Sequence, residues 1–392
     1  MTTRRRERDV FVVGIGQTPS VGSTTPAELG TLIMPAIEEA MASSGITTED
    51  LPAVAWGVSP DLFEGQSAPE TWMSRTLLPG VPAFRTNTGG ATGADTFVNA
   101  CELVRSGALP AILVVAFQRV GLSATQRILQ TIWAPFYEMP LPLNTITQAA
   151  FRASRFLGLG RAEVEDFALI ASKNHFGGSK NPLSHLRKAV TPDQVRASRM
   201  LSWPVRLLEA CPRSQGACAI LISNTPGPQG AIARVTGWGR GHDSYWLGDR
   251  LGSMGDDVCE LPALARAAKE AYAMAGIRDP RADIDVVELY APFSSLEMMM
   301  YAPLGLLDAG EERKAVEEGW FGPTGRQRVC PSGGCQTSNP IGATGLIRVA
   351  EAALQVSGQA GQYQAPKVRS AIATSTGGAS QYFSVVVLGE ST

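Results

Sequence analysis

Short unbroken apolar runs alternate along this 392-residue chain with longer segments whose apolar residues recur every three or four positions. That alternation predicts buried strands set between amphipathic helices. The first run, Val10 to Val13, turns at Gly14 and Gly16, and a helix is expected after it, over 26–44, with Gly45 as its stop. Strands are expected within 51–59, at Ile112–Val115, where β-branched residues suit a buried strand, and at Ala217–Ile222. Between about 121 and 230 the texture changes: several helices are expected, with a loop over 173–185. A strand starts at Ile232, a helix runs through 261–277, a strand within 283–294 leads into a turn, and two closing strands flank a glycine turn within 367–390.

Two stretches match each other. Gly90-Ala91-Thr92-Gly93 opens an apolar-periodic helix ending in Ser106-Gly107, and Gly342-Ala343-Thr344-Gly345 opens another ending in Ser357-Gly358. Each has a glycine-rich turn at or before its start, Gly89-Gly90 and Gly333-Gly334. The order strand, helix, strand, Gly-opened helix, strand occurs twice, which predicts a duplicated α/β lobe. A helix start leaves backbone N–H groups unpaired and carries partial positive charge. Glycine lets another group approach it closely, so each start is a candidate oxyanion site. Glycines at a single helix start serve packing equally well; the pairing is what favours a functional reading.

Composition narrows the classes. Hydrophobic residues are 44% and charged residues 18% of the chain, as in a well-buried globular enzyme, and a net charge of −2 gives no footprint for nucleic acid. Arg4-Arg5-Arg6 with Arg8 reads as a solvated end. No secretory leader and no membrane span are expected, and six scattered cysteines without a CxxC pair argue against zinc and for a reducing cytoplasm. The run Gly14 to Pro19 lacks the third glycine of a dinucleotide loop, and no Walker loop or Ser-His-Asp set is visible. His175, His185 and His242 are the only histidines.

Over nearly its whole length the chain resembles the thiolase superfamily, in its lipid-transfer-protein (sterol-carrier-type) branch. The resemblance is carried by VVGIGQTP at 12–19, TGGATGAD at 88–95, SKNHFGGSKNP at 172–182, WPVRLLEACPRSQGACAILIS at 203–223, DVVELYAPFSSLEMMMYAPLGL at 285–306, CPSGGCQTSNPIGATG at 330–345 and STGGASQYFSVVVL at 375–388. It implies an α/β thiolase fold: duplicated βαβαβαββ halves in α-β-α-β-α layers, with an inserted loop domain covering an acyl-CoA. The divisions expected are 1–120 for the first part of the N-terminal half, 121–230 for the loop segment with closing strands, and 231–392 for the C-terminal half. A homodimer is the usual state of such proteins.

The departures from the family pattern carry the functional reading. Gly90 stands where a thiolase keeps its nucleophilic Cys, Asn339 where the family has His, and Thr374 or Ser375 at the last Cys or His position. Tyr290 takes the place of a His or Asn. Glycine cannot carry an acyl group. Cys101 lies too far down its helix, and Cys335 is the spare thiol, with a buried core thiol as its other reading. The pattern resembles the thiolase-like aldolases of steroid side-chain degradation, which have Gly in place of the Cys, use tyrosines, and act with an OB-fold acyl-CoA-associated partner. Their second Tyr would fall at about Asn339. A thiolase-like acetyltransferase subunit also carries Tyr at the position of Tyr290, but keeps the Cys.

The expected reaction is therefore retro-aldol cleavage of a β-hydroxyacyl-CoA. The N–H groups of Gly90, Gly377 and Gly378 and the Asn339 amide would stabilise the enolate. Tyr290 would act as acid/base, its pKa lowered by the helix starts or its action relayed by a water. Coenzyme A enters as the substrate's thioester; no bound cofactor or metal is expected. Asn174 and His175 match a family loop near the acyl-CoA tunnel. The rival readings are an acyltransferase or Claisen-type enzyme, with Cys335 as nucleophile in one form, and a non-catalytic acyl-CoA or lipid-binding subunit. Met298-Met299-Met300 is expected to be core packing. Gln215 stands where the family usually has Asp, with no functional account.

Overall fold

The computed structural model describes residues 7–22, 28–59, 61–63, 65, 68–119, 124–251 and 257–391; Arg4 to Arg6 fall outside them. Five strands of the N-terminal half, β1 (Phe11–Gln17), β2 (Val54–Val58), β3 (Ala83–Thr86), β4 (Ala111–Gln118) and β5 (Gly216–Ser223), lie in the order β3-β2-β4-β5-β1. Five more, β6 (Ala233–His242), β7 (Val286–Glu288), β8 (Arg328–Val329), β9 (Ser370–Gly377) and β10 (Tyr382–Gly389), lie in the order β8-β7-β9-β10-β6. Counted within each half the order is the same: third, second, fourth, fifth, first. Directions repeat as well. The second strand is parallel to the third and fourth, and the fifth is antiparallel to the fourth and first. Antiparallel pairing of Phe11 with Arg234 and Val12 with Ala233 joins the halves.

Helices α1 (Leu29–Ser44), α2 (Thr92–Arg105), α3 (Thr145–Gly158), α4 (Val164–Lys180), α5 (Pro262–Ala275), α6 (Ser294–Met300) and α7 (Ile341–Val356) complete the layers. α1 packs on β1 and β5, and its counterpart α5 on β6 and β10. α2 touches β2 and β4 of its own half but also β9 and β10, while α7 touches β7 and β9 but also β4 and β5. These two Gly-opened helices are thus the middle layer, covered by strands of both halves, which is why most of their residues, polar ones such as Thr92, Asp95, Thr344 and Arg348 included, are buried.

The last glycine of each matching tetrapeptide makes that crossing possible. A Cβ on Gly93 would lie 2.6 Å from the Leu346 nitrogen, and one on Gly345 would lie 2.8 Å from the Ala94 nitrogen. Ala94 and Leu346 follow the two glycines at the same position in the repeat, so the contact is symmetric. Here the glycines serve close helix approach and not a turn.

Between β4 and β5 the chain leaves the sheet to form α3 and α4, and α4 packs on α6. The loop expected over 173–185 is half wrong: 173–180 are the last turns of α4. Gly177 and Gly178 suggest a turn in sequence, yet both are helical and sit where any Cβ would meet the Pro331 carbonyl oxygen at 2.6 Å or Thr337 at 2.5 Å. Met298, Met299 and Met300 are buried in α6. Among the described residues, no helix is long and apolar enough to cross a membrane.

Candidate active site

The strand β7 ends at Glu288, and side chains of β9 then hold the next residues in register. The Tyr290 N–H donates to Thr374 Oγ1 at 3.1 Å, and Thr376 Oγ1 donates to the Tyr290 carbonyl at 2.9 Å. The ring is buried, and its hydroxyl donates at 3.4 Å to the carbonyl of Ile341, the first residue of α7. On its other side lies the start of α2: a Cβ on Gly90 would be 3.3 Å from this hydroxyl. The phenol therefore sits between the two Gly-opened helix starts.

A Cβ on Gly90 would also come within 2.5 Å of the Thr376 carbonyl oxygen, a backbone atom that cannot swing aside. Gly377 is as tightly placed, since its Cβ would meet Thr88 O at 2.4 Å and Ala91 N at 2.8 Å. A Cβ on Gly89 would be 3.2 Å from Gly378 N, so the Gly377-Gly378 turn abuts the Gly89-Gly90 turn. Ser375 and Thr374 are fully buried and serve this arrangement: Ser375 Oγ donates to Ala91 O at 3.5 Å, while Thr374 holds Tyr290.

Asn339 precedes α7. Its N–H donates to Ser214 Oγ at 3.1 Å and its Oδ1 accepts from Thr344 Oγ1 at 2.9 Å. Its Nδ2 donates at 3.0 Å to Cys211 Sγ, so one amide hydrogen is already committed. Ser214 is in turn bonded to His185 Nδ1 at 3.0 Å. Cys335 lies on the short helical turn Gly334–Thr337, which a buried ion pair anchors: Arg348 of α7 donates to Glu288 at 2.6 Å and to Ser332 Oγ at 2.7 Å.

Cys211 and Cys335 meet beside Asn339. The Cys335 thiol donating to Cys211, with help from the Asn339 amide and against the effect of burial, lowers the Cys211 pKa. Burial and the same hydrogen bond push Cys335 well up, so the first thiolate of the pair belongs to Cys211. Cys211 is only half-buried, whereas Cys335 is enclosed. Sequence reasoning missed Cys211 because it lies in an irregular segment, tied by its N–H to Pro292 O at 2.8 Å, and only the fold carries it to Asn339. Tyr290 departs from expectation in the opposite sense: burial, then the neighbouring Cys335 and Cys211, hold its pKa well above the usual phenol value. The helix starts do not overcome the desolvation of a phenolate, so Tyr290 is a neutral phenol.

Asn174 and His175 have internal partners. Asn174 Nδ2 donates to Glu297 at 2.6 Å, and His175 Nε2 lies 3.2 Å from Leu208 O, with burial lowering the imidazole pKa. Two cavities flank α4, of about 130 and 710 Å³, sharing Lys180, Gln362 and Tyr363. Neither is lined by Tyr290, Cys211, Asn339 or Gly90.

Comparison with known proteins accords with this architecture. Residues 249–390 match the family described as thiolase C-terminal domain-like. A solved human mitochondrial 3-ketoacyl-CoA thiolase superposes with a TM-score of 0.70 at 16% identity, covering 99% of this chain and 100% of that one. The fold is that of a thiolase. The structure of an "Ltp2-ChsH2(DUF35) aldolase" superposes with a TM-score of 0.82 at 21% identity, covering 98% of this chain and 99% of the other. Among sequences, human sterol carrier protein 2 is 28% identical over 93% of this chain and 69% of its own length. An acetyl-CoA acetyltransferase of Methanothermobacter thermautotrophicus is also 28% identical, over 91% of this chain and 93% of its own. Set on the thiolase fold, the position at which the motif comparison expects the nucleophile is Gly90, and the space a side chain there would need is taken by Thr376 O and the Tyr290 hydroxyl.

The thiol pair makes a first prediction. Cys211 should be alkylated by iodoacetamide before any other cysteine, and at a lower pH than a free thiol near pKa 8.5, because its thiolate forms first. Cys101, Cys218, Cys330 and Cys335, all buried with raised pKa values, should stay unmodified in the folded protein. Peptide mapping across pH checks this; equal labelling of Cys211 and Cys335 would show that the pair is not arranged as described.

Proposed function

We propose that this thiolase-like protein cleaves a β-hydroxyacyl-CoA by a retro-aldol reaction, with a bulky acyl group such as a steroid side chain as substrate. The observation that carries it is the Tyr290 hydroxyl, lying 3.3 Å from where a Gly90 side chain would begin. The site thereby presents a proton-transfer group where acyl transfer would need a thiolate. In the reaction the hydroxyl proton leaves, the Cα–Cβ bond breaks, and its electron pair moves into the thioester as an enolate while a ketone or aldehyde departs. A proton then returns to the enolate carbon, giving a shorter acyl-CoA, with no oxidant or reductant required.

The pKa directions divide the roles. Cys211, whose thiolate is favoured, is suited to take the hydroxyl proton. Neutral Tyr290 is suited to donate to the developing enolate. The Gly90 and Gly377-Gly378 backbone, with the second Asn339 hydrogen, is the candidate oxyanion set. Cys211 thus fills the gap left by Asn339, which transfers no protons. The likeness to a structure named as an Ltp2-ChsH2(DUF35) aldolase supports a working complex with a partner of that kind.

Cys211 also favours a second reading, acyl transfer with this thiol as nucleophile, as the acetyltransferase relative suggests. Alkylation cannot separate the two, since both need Cys211. Intact-mass measurement after mixing with acyl-CoA does: acyl transfer leaves an acyl group on Cys211, and aldol cleavage leaves the protein mass unchanged. The direct test is co-expression with the proteins encoded beside it, followed by mass spectrometry of β-hydroxyacyl-CoA thioesters. A shorter acyl-CoA plus a carbonyl compound is expected; no cleavage in any combination would refute the aldolase reading.

A further inference from the structure

Behind the Gly377-Gly378 turn, two arginines from separate elements converge on the next residues. Arg152 of α3 donates from Nη2 to Ala379 O at 2.7 Å. Arg250, in the short helical turn Gly248–Arg250, donates from Nη1 to the same Ala379 O at 3.0 Å and to Ser380 O at 3.2 Å. Both are more than nine-tenths buried, at 3% and 5% exposure. Neither forms an ion pair among the described residues, although buried arginines ordinarily pair with carboxylates.

The carboxylates that face them are committed elsewhere. Asp243 pairs with Arg266 at 2.7 Å and Asp257 with Arg155 at 2.7 Å. Glu138 accepts from the Leu247 and Ala134 N–H groups, and Asp249 accepts from Ser244. What remains without a partner is donors: Arg152 Nε and Nη1, and Arg250 Nε and Nη2. Gln148, one turn before Arg152 on the same face of α3, adds a buried, unpartnered Nε2. Burial and the neighbouring Arg250 lower the Arg152 pKa to about 9, as expected of like charges held together out of water. Carbonyl oxygens carry no charge and do not neutralise two guanidinium groups.

We propose that Arg152 and Arg250, with Gln148, form an anion site for a small oxyanion of the carboxylate or phosphate class. The planar forks suit such groups, which accept several N–H bonds and offset the charge together. The site shares one turn with the active site, since Ala379 and Ser380 directly follow Gly377 and Gly378. It does not depend on the aldolase reading.

The test is thermal unfolding and isothermal titration of the full chain at constant ionic strength. Chloride is exchanged for acetate or inorganic phosphate, with coenzyme A and dephospho-coenzyme A as parallel probes. A saturable rise in Tm with acetate or phosphate is expected, with affinity weakened roughly tenfold or more in Arg250→Gln and Arg152→Gln, as for loss of a charge-assisted fork. A response to coenzyme A alone, lost in the same variants, would assign the anion to the phosphates of the thioester substrate. Should either variant fail to fold, Arg250→Lys, which keeps the charge but not the fork, should bind phosphate more weakly than wild type. No probe exceeding chloride in the wild type, or an undiminished response in the variants, overturns the site.

Discussion

Placing a cysteine at position 90 should destabilise the protein and leave that position without an acyl group. The thiolase motif makes this substitution look like a repair. The structure says otherwise, because the added Cβ would stand 2.5 Å from the Thr376 carbonyl oxygen and 3.6 Å from Gly377 Cα. To admit it, the end of β9 would have to move away from α2, taking the turn with it. Overpacking of this kind typically costs about 1–3 kcal/mol, and backbone contact puts Gly90→Cys toward the upper end. Removing the phenol hydroxyl as well should not rescue it, since the obstruction is main chain. Urea midpoints of wild type, Gly90→Ala, Gly90→Cys and Gly90→Cys with Tyr290→Phe measure the cost, and intact mass after incubation with acetyl-CoA measures acylation. Wild-type stability together with stoichiometric acylation at position 90 would mean the site remains an ordinary thiolase pocket.

Much of the architecture was readable from the chain because the duplication is written in local patterns. Apolar runs at Ile112 and Ala217 are buried strands since both their faces meet other layers, and the two matching tetrapeptides are helix starts, as their glycines and following periodicity imply. Their shared purpose was not legible: that Gly93 and Gly345 exist to let two helices cross is a property of packing between residues far apart in the chain. The same holds for Gly177 and Gly178, which read as a turn and are helical, because the reason for glycine there is the approach of Pro331 and Thr337. Tyr290 and Asn339 could be nominated by their place in a motif. Cys211 could not, since its chemistry comes from Cys335 and Asn339, neither of them near it in sequence, and the sign of the Tyr290 shift follows from a burial that no motif states.

Removing the phenol hydroxyl should give the largest catalytic loss. Tyr290→Phe keeps the ring and gives up a long 3.4 Å bond to Ile341 and the contact of the hydroxyl with the Thr344 side chain, so stability should fall by about 1 kcal/mol. The cleavage rate should fall by roughly a hundredfold or more, the usual worth of a positioned proton donor. The pH profile then separates the two groups. Because the Tyr290 pKa is raised, the phenol stays protonated to beyond about pH 10, its ordinary value, and imposes no alkaline limb below that. Because the Cys211 pKa is lowered, its thiolate survives to lower pH than a free thiol's, and activity should decline only as pH falls through that lowered value. Tyr290→Phe should reduce the whole profile while keeping its acid limb; Cys211→Ser should remove the limb along with most of the rate. A non-catalytic subunit predicts neither effect, and cleavage undiminished by Tyr290→Phe in the intact complex would leave the phenol with a packing role only.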